Sequence, residues 1–481
     1  MKRKLLPVAL SFCLAFCTLP VAVFGGCGKE KKSGVFNEKE IVLSFSAMSD
    51  IHQQLGKSAI ADKLVNALDY SKDLNGGKPL DVALFAGDLT EETWRKQNEQ
   101  YSSDYNGDIE MLKSTLDRGL NADETAVFYC LGNHDTDPSE LGKEYMSQMP
   151  ALFYSTLGEK YFQFDSKDSM PEIGLRHMEK KGYHFLAVQP DEYWKLRGYS
   201  DGTLAWLDAK LAEITKAEPN KYVFVTGHPP IYGTVFGSYA NTWADQDVAE
   251  ILEKYPQAVY FSGHIHNVLQ DEVQISQNGY FTALDCGSVK YTEVMNDIND
   301  NRTVSFDNYI GTRIDDFSQG LFVEVDKSGN LRVSRVDYYQ KKTIKTPWEL
   351  SYPKADLSHL KTYDNESRIE QNEAPMFEST ANCALEKAPS GITFSWDAAT
   401  DDDMVRYYHI NLFKKEGETG EKVAEYNIAT HTYRYAQVAD MPKEMTFTAE
   451  GAFSGEYYFE ISAVDIWSKY GAKITSAPVV I

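Results

Sequence analysis

The sequence predicts an α/β fold, with a mixed or parallel sheet and helices outside it, followed by a smaller all-β sandwich. Two observations support this. Five apolar runs of strand type alternate with segments of helical periodicity, and alternating strands and helices indicate a sheet covered by helices. From about residue 373 the pattern changes to short strands separated by turns, which is typical of an all-β region.

The five apolar runs each end in a short polar motif. They are VLSFSAMSDIH, VALFAGD, AVFYCLGNHD, YVFVTGH and AVYFSGHIH. Runs of this length, rich in Val, Phe, Tyr and Ala and closed by Gly or Asp, predict buried strands. The polar groups therefore fall at strand ends, where α/β sheets form their active-site crevice.

Three further segments have clear periodicity. Residues 59–74 and 201–217 repeat apolar positions every three or four residues, which predicts helices. Residues 321–340 alternate with period two around a Lys-Ser-Gly-Asn turn, which predicts a β-hairpin.

The motifs supply carboxylate, amide and imidazole groups but no thiolate. Such donors suit Mn, Fe or Zn and exclude a structural Cys-zinc site. The candidate residues, in chain order, are Asp50, His52, Asp88, Asn133, His134, Asp135, His228, His264 and His266.

The order and spacing of these motifs, over about residues 40–345, resemble the calcineurin-like metallophosphoesterases. A single Gly-Asp or Gly-His is usually a turn, but five motifs in the right order are specific. The resemblance implies the αββα fold of that family, with two stacked mixed sheets flanked by helices. It also implies two divalent metal ions (Mn, Fe or Zn) and hydrolysis of phosphoester bonds.

The resemblance also assigns roles. Asp88 is expected to bridge the two metals, His134 to protonate the leaving oxygen, and Asp135 to orient His134. The ligands implied are Asp50, His52, Asp88 and His266 for the first metal, and Asp88, Asn133, His228 and His264 for the second.

At two positions the sequence differs from the motifs of related phosphoesterases, and these differences narrow the expected metal site and substrate. Purple acid phosphatases have a Tyr soon after the Gly-Asp motif, but Leu89, Thr90 and Glu91 stand here, so a charge-transfer ferric site is not expected. Gly227-His228 replaces the His-His pair of the superfamily's cyclic-nucleotide phosphodiesterases, which weakens that substrate assignment.

Charge excludes one class of partner. The formal charge is −23 and the sequence has no basic stripe, so no nucleic-acid partner is expected and a nuclease is disfavoured. The expected substrate is a small-molecule or lipid-like phosphoester. A phosphodiester is favoured because the five motifs contain no Arg to clamp a dianion.

The first residues have the features of an export signal. Residues 1–26 combine a basic start, an apolar stretch and Gly-Gly before Cys27, which resembles a bacterial lipoprotein signal with Cys27 lipidated. Residues 27–40 are then a tether, and the protein is expected on the extracytoplasmic face of the cytoplasmic membrane. Simple cleavage and secretion is the alternative.

The predicted domains are a phosphoesterase domain over 41–345, a linker over 346–372 and a sandwich over 373–481. The sandwich resembles fibronectin type III domains through Trp396 and through Tyr457 as the tyrosine corner. It is a candidate for contact with the cell surface. The competing functions are a surface-anchored binding protein with an idle metal site and a phosphomonoesterase or nucleotidase.

Overall fold

The computed structural model describes residues 35–91, 95–97, 100–102, 105–136, 143–161, 163–165, 169–192, 198–239, 244–294, 306–307 and 314–481. The predicted signal peptide and the predicted lipidation site Cys27 lie outside these residues. Within the described ranges, no helix is both long and apolar enough to span a bilayer.

The N-terminal region, up to residue 350, alternates strands and helices. Its strands are β1 (Ile41–Met48), β2 (Val82–Ala86), β3 (Arg95–Gln97), β4 (Gln100–Ser102), β5 (Ala126–Cys130), β6 (Arg176–Lys180), β7 (Tyr183–Ala187), β8 (Val223–Thr226), β9 (Ala258–Ser262), β10 (Ile275–Ser276), β11 (Thr282–Asp285), β12 (Gln319–Asp326), β13 (Leu331–Asp337) and β14 (Lys342–Leu350).

The helices cover both predicted helical segments, and β12 and β13 form the predicted hairpin. The helices are α1 (Ser58–Leu74), α2 (Tyr105–Gly119), α3 (Asn133–Thr136), α4 (Lys143–Leu157), α5 (Asp201–Ala217), α6 (Asp247–Leu252) and α7 (Asn365–Gln371).

Two six-stranded mixed sheets form this region. The first has the order β14-β13-β12-β1-β2-β5, and the second has the order β10-β11-β9-β8-β7-β6. In the first sheet β1, β2 and β5 are parallel neighbours. In the second, β7, β8, β9 and β11 are parallel neighbours. Carboxyl ends of parallel strands share an edge, so each sheet gathers the motifs that follow its strands.

The two sheets pack face to face through an apolar core. Phe45 of β1 makes edge contacts with Phe185, Phe224 and Phe261 of the second sheet, at centroid distances of 5.4, 4.9 and 5.8 Å. A second core lies between the first sheet and α1, α2 and α4, and a third between the second sheet and α5 and α6. The predicted fold of two stacked mixed sheets flanked by helices is confirmed.

The C-terminal region is an all-antiparallel sandwich, as predicted. One sheet has the order β15-β16-β19 and the other β18-β17-β20-β21, with β22 also paired to β20. Its strands are β15 (Cys383–Ala388), β16 (Gly391–Asp397), β17 (Val405–Glu416), β18 (Thr419–Ala429), β19 (Glu444–Glu450), β20 (Glu456–Asp465), β21 (Ile474–Thr475) and β22 (Val479–Val480).

Two predicted boundaries fall inside packed structure. The boundary at residue 345 lies within β14, which pairs with β13 on both sides of an irregularity at residues 345–347. The first part of the predicted linker therefore belongs to the first sheet. The last residues of the predicted tether, 35–40, bind the β12–β13 turn: Asn37 N–H donates to Asp326 and Asn330 donates to the carbonyl of Val35.

The sandwich and the N-terminal region share an apolar core. Its residues from the N-terminal region are Phe236, Val268, Val273, Val294, Phe306, Ile314 and Phe317. Its residues from the sandwich are Met404, Tyr407, Ala429, Tyr433, Val464 and Ile466. All of these are buried, so the two regions pack as one body here.

Candidate metal centre

The structure brings the predicted metal ligands together at the strand ends. Two groups of side chains have donor atoms that lie within 4.8 Å of one another, and both contain Asp88. The first group consists of Asp50, His52, Asp88 and His266, and the second consists of Asp88, His228 and His264. The strands that precede these residues are β1, β2, β8 and β9.

The backbone at this site is unusual. Among the described residues, eleven that are not glycine have a positive φ, and five of these are predicted ligands. Left-handed backbone is unfavourable for such residues and clusters at functional sites. The five ligands and their φ values are Asp50 (54°), His52 (50°), Asp88 (50°), His264 (75°) and His266 (51°).

A tight turn in the fifth motif, and not the alternation of an extended strand, brings its two histidines to the site. If the segment were extended, alternation would place His264 and His266 on one face and Ile265 on the other. Both instead have a positive φ, and Ile265 N–H donates to the Gly263 carbonyl at 2.9 Å, which closes a tight turn. Ile265 is nevertheless buried in the core beneath, as expected.

Two motif glycines make room for ligand carboxylates. A Cβ on Gly132 would overlap the carboxylate and backbone nitrogen of Asp88. A Cβ on Gly263 would overlap the side chains of Ser49 and Asp50. These close approaches explain why glycine precedes the polar residue in the third and fifth motifs.

In the first group the donor atoms face a common point. His52 Nε2 lies 3.2 Å from His266 Nε2, and His266 Nε2 lies 2.9 Å from Asp50 Oδ1. Ligands bound to one metal at about 2.0–2.1 Å lie about 2.9–3.4 Å apart at tetrahedral or octahedral angles. These spacings fit a shared cation.

The second group shows the same pattern. His228 Nε2 lies 3.2 Å from Asp88 Oδ2, and its Nδ1 donates to the Ala86 carbonyl at 2.7 Å, which fixes the ring orientation. Asn133, the remaining predicted ligand, has a buried Oδ1 with no hydrogen-bond partner among the described residues. A buried amide oxygen of this kind fits a hard cation.

Asp88 faces both groups through a single oxygen. Its Oδ1 accepts the backbone N–H of His134 at 2.8 Å. Its Oδ2 lies 3.2 Å from His228 Nε2 and 3.8 Å from His52 Nε2. Oδ2 is therefore the Asp88 oxygen that lies near histidines of both groups.

The charges in the site are strongly coupled. Burial alone would raise the pKa of Asp50, but His266 and His52 hold it well below its usual range. Burial would lower the pKa of His228, yet Asp88 raises it to about 9. Burial and the charge of His228 lower the pKa of His264 to about 3.

His134, the predicted acid, lies beside the first group. Its ring centroid is 4.6 Å from that of His52, and the residue is half-buried. Its Nδ1 is hydrogen-bonded to the backbone carbonyl of Glu91. Because a carbonyl only accepts, Nδ1 of His134 carries a proton and donates this hydrogen bond.

Asp135, which the resemblance assigns to orienting His134, is held by backbone N–H groups. Its buried carboxylate accepts the N–H groups of Leu89, Thr90 and Gly132 at 3.0, 2.8 and 2.8 Å. It therefore joins the second and third motifs, while the Glu91 carbonyl orients His134. Burial and the charge of Asp88 raise the pKa of Asp135 to about 6.

Three residues at the site were missed or underrated by the motif analysis. Glu91 Oε2 lies 3.5 Å from His52 Nδ1, and Lys290 Nζ donates to the same carboxylate. The Tyr291 ring lies 4.4 Å from that of His266. Lys290 and Tyr291 follow β11 in a segment without a recognisable motif, so only the fold reveals their position.

His52, Glu91 and His134 form a third group within 4.8 Å. The Lys290 ammonium already neutralises its one carboxylate, which disfavours a third cation there. The first two groups, by contrast, hold two carboxylates and four imidazoles with no thiolate, a set that fits Mn, Fe or Zn.

Comparison with known proteins agrees with this site. The family model described as calcineurin-like phosphoesterase matches residues 43–268, which include all five motifs. No curated protein matches the chain significantly.

Similarity to solved structures is low. A purple acid phosphatase from yellow lupin (Lupinus luteus) seeds is 14% identical with a TM-score of 0.45; the match covers 66% of this chain and 55% of that chain, so this chain spans about half of that enzyme. The twitchin kinase region from C. elegans is 18% identical with a TM-score of 0.15, covering 23% of this chain and 16% of that one. The sequence match and the site show that the chain contains a calcineurin-like metallophosphoesterase domain.

Proposed function

We propose that this protein hydrolyses phosphoesters, with phosphodiesters preferred, using two divalent metal ions. The first ion would be held by Asp50, His52, Asp88 and His266. The second would be held by Asp88, Asn133, His228 and His264. The observation that carries the proposal is the pair of buried Asp/His groups that share Asp88 within a phosphoesterase domain.

The chain's own residues have defined tasks in this reaction. When bound, two divalent ions supply an activated water and neutralise charge on the phosphoryl oxygens. As the acid, His134 would carry a proton on both ring nitrogens and give the Nε2 proton to the leaving oxygen, while Nδ1 keeps its hydrogen bond to the Glu91 carbonyl. Backbone N–H groups hold the ligand carboxylates: His264 donates to Asp50, and His134 donates to Asp88.

Charge balance supports a diester substrate. Asp50 and Asp88 contribute two negative charges against four positive charges from two ions, which leaves the site about +2. The nearby cation Lys290 is already paired with Glu91 and adds no net charge. A monoanionic diester is the better match, whereas enzymes for dianionic monoesters commonly add an Arg clamp.

We further propose that the protein is anchored through a lipidated Cys27 on the outer face of the bacterial cytoplasmic membrane, and that its sandwich is of the fibronectin type III kind. Support comes from the leader sequence, from the buried Trp396, and from the Tyr457 hydroxyl, which donates to the Ser454 carbonyl at 3.1 Å. Mass spectrometry of the mature protein should find lipid on an N-terminal Cys27; any other N-terminus excludes the anchor.

A purified-protein assay tests the proposed activity. The metal-free protein is supplied with Mn²⁺ and matched nitrophenyl mono- and diesters. We expect metal-dependent turnover with a higher kcat/KM for the diester. A clear monoester preference would favour a phosphomonoesterase or nucleotidase, and metal binding without any turnover would favour a binding protein with an idle site.

A further inference from the structure

Lys290 lies close to the metal centre although it belongs to none of the five motifs. Its ammonium donates to the carboxylate of Glu91, and its side chain is only 13% exposed. A lysine that is largely buried has to be paired, so this contact is not an incidental surface ion pair.

Glu91 in turn faces two functional histidines. Its Oε2 lies 3.5 Å from Nδ1 of His52, whose Nε2 points into the first metal group, and its backbone carbonyl holds Nδ1 of His134. A carboxylate behind a ligand imidazole fixes the ring orientation and raises the basicity of the ligand. Glu91 thus joins a predicted ligand and the predicted acid.

The backbone of Lys290 is hydrogen-bonded to the loop that follows β1. Its N–H donates to the Asp50 carbonyl at 3.1 Å, and Val289 N–H donates to the Ser49 carbonyl at 3.0 Å. Lys63 of α1 donates to the Lys290 carbonyl at 2.5 Å. The residue therefore ties the loop after β1 to the loop after β2, which carries Glu91.

We propose that Lys290 is a positioning residue that holds Glu91 against His52 and so sets the affinity of the first metal position. The proposal rests on the metal centre of the proposed function. Without the ammonium, Glu91 is a half-buried carboxylate that has lost its lysine partner. It then turns toward solvent, and His52 loses its support.

Lys290→Met and Lys290→Arg test this, with Mn²⁺ binding to the metal-free protein followed by electron paramagnetic resonance. Loss of a group that supports a metal ligand typically lowers metal affinity by about 10–100-fold. We expect a loss of that size for one of the two ions in Lys290→Met, an unchanged second ion, and substantial recovery in Lys290→Arg. Lys254→Met is the control, because Lys254 is half-exposed and pairs with Asp208 on the surface.

A double-mutant cycle separates positioning from general destabilisation. Glu91→Gln keeps the backbone carbonyl that orients His134 and removes only the charge, so it should weaken the same ion. Because both changes break one contact, Lys290→Met combined with Glu91→Gln should be no worse than either alone. If Lys290→Met does not fold, Glu91→Gln still gives the comparison with wild type.

The outcomes are distinguishable. Wild-type protein that binds no Mn²⁺ overturns the proposed function itself. Wild-type protein that binds two ions while Lys290→Met or Glu91→Gln binds both with wild-type affinity overturns only the role of Lys290. Equal weakening of both ions, or additive effects in the double variant, would also contradict it.

Discussion

At the scale of single residues, three of the site histidines use Nδ1 to face groups outside the proposed ligand set. His228 Nδ1 contacts the Ala86 carbonyl, His134 Nδ1 contacts the Glu91 carbonyl, and His52 Nδ1 faces the Glu91 carboxylate. The motifs predict residue types and their grouping. They do not predict these partners, because a backbone carbonyl has no sequence signature. They also do not predict that Lys290 pairs with Glu91, because Lys290 is distant along the chain.

His134→Ala should slow hydrolysis while both metals remain bound. Help from a general acid is typically worth about 10²–10⁴-fold, and the loss should be smaller for a good leaving group such as nitrophenolate. Steady-state rates and metal analysis of the same preparation measure both effects. His184→Ala, on β7 and outside the site, is the control. If metal content falls together with the rate, His134 is a ligand.

Metal affinity should rise with pH between about 7 and 9. In the metal-free protein Asp88 outweighs burial and raises the pKa of His228 to about 9, so a bound metal has to displace a proton. The pKa of His228 is higher in the folded protein than in the unfolded chain. The His228–Asp88 pair therefore contributes its full stabilisation below about pH 6.5 and loses it as the pH rises through about 9.

Metal titrations in weak buffer test this linkage. They should show proton release on binding and an affinity gain of at most about tenfold per pH unit, with metal-free protein losing stability over the same range. An affinity that does not change between pH 7 and 9 would contradict the coupling of His228 to Asp88.

At the scale of elements, the periodicity of the sequence predicts the strands and helices but does not predict the conformation of the loops at the strand ends. The apolar runs before the motifs formed β1, β2, β5, β8 and β9 as predicted. The loops after them adopt left-handed backbone at ligand positions, which a strand-alternation argument cannot anticipate. Backbone hydrogen bonds between neighbouring loops accompany this conformation: Asp50 N–H donates to the Gly87 carbonyl, and His52 N–H donates to the Asp88 carbonyl. Such contacts are not visible in a single sequence.

Gly132→Ala should reduce metal content, because the new Cβ would displace the Asp88 carboxylate. The matched control is Gly202→Ala in α5, where a Cβ would be 3.7 Å from its nearest neighbour, the Ser200 hydroxyl. Metal analysis and thermal denaturation of both variants measure the difference. Full metal content in Gly132→Ala would show that the loop has room for a side chain.

At the scale of the whole molecule, the sandwich is attached more closely than its sequence suggested. All predicted ligands precede residue 267, and this position along the chain alone would predict that the sandwich is dispensable for chemistry. In the structure Phe306, which packs on Tyr407 and Tyr433 at 6.1 and 6.4 Å, shares a buried core with Ile314. Ile314 pairs with Thr292, whose neighbour Glu293 donates to the His266 carbonyl at 2.7 Å.

Tyr407→Ala should therefore destabilise the protein and weaken metal binding at His266. Truncating a buried aromatic ring to Ala typically costs about 3–5 kcal/mol. Phe413→Ala is the control, since Phe413 lies on the same face of β17 but only stacks on Tyr458 of the neighbouring strand. Denaturant unfolding and metal titration compare the two. Unchanged metal affinity in Tyr407→Ala would restore the expectation that the sandwich is independent of the site.

We proposed that the Asp88 carboxylate is shared by two metal ions, and metal analysis of Asp88→Asn measures this sharing. Wild-type protein should hold two ions per chain. Asp88→Asn should keep the contact to His134 N–H but lose the charge at Oδ2, so metal content and turnover of a nitrophenyl diester should fall together. Asp62→Asn, an exposed residue paired with Arg118, should match wild type. An Asp88→Asn protein that retains two ions and full turnover would contradict the account.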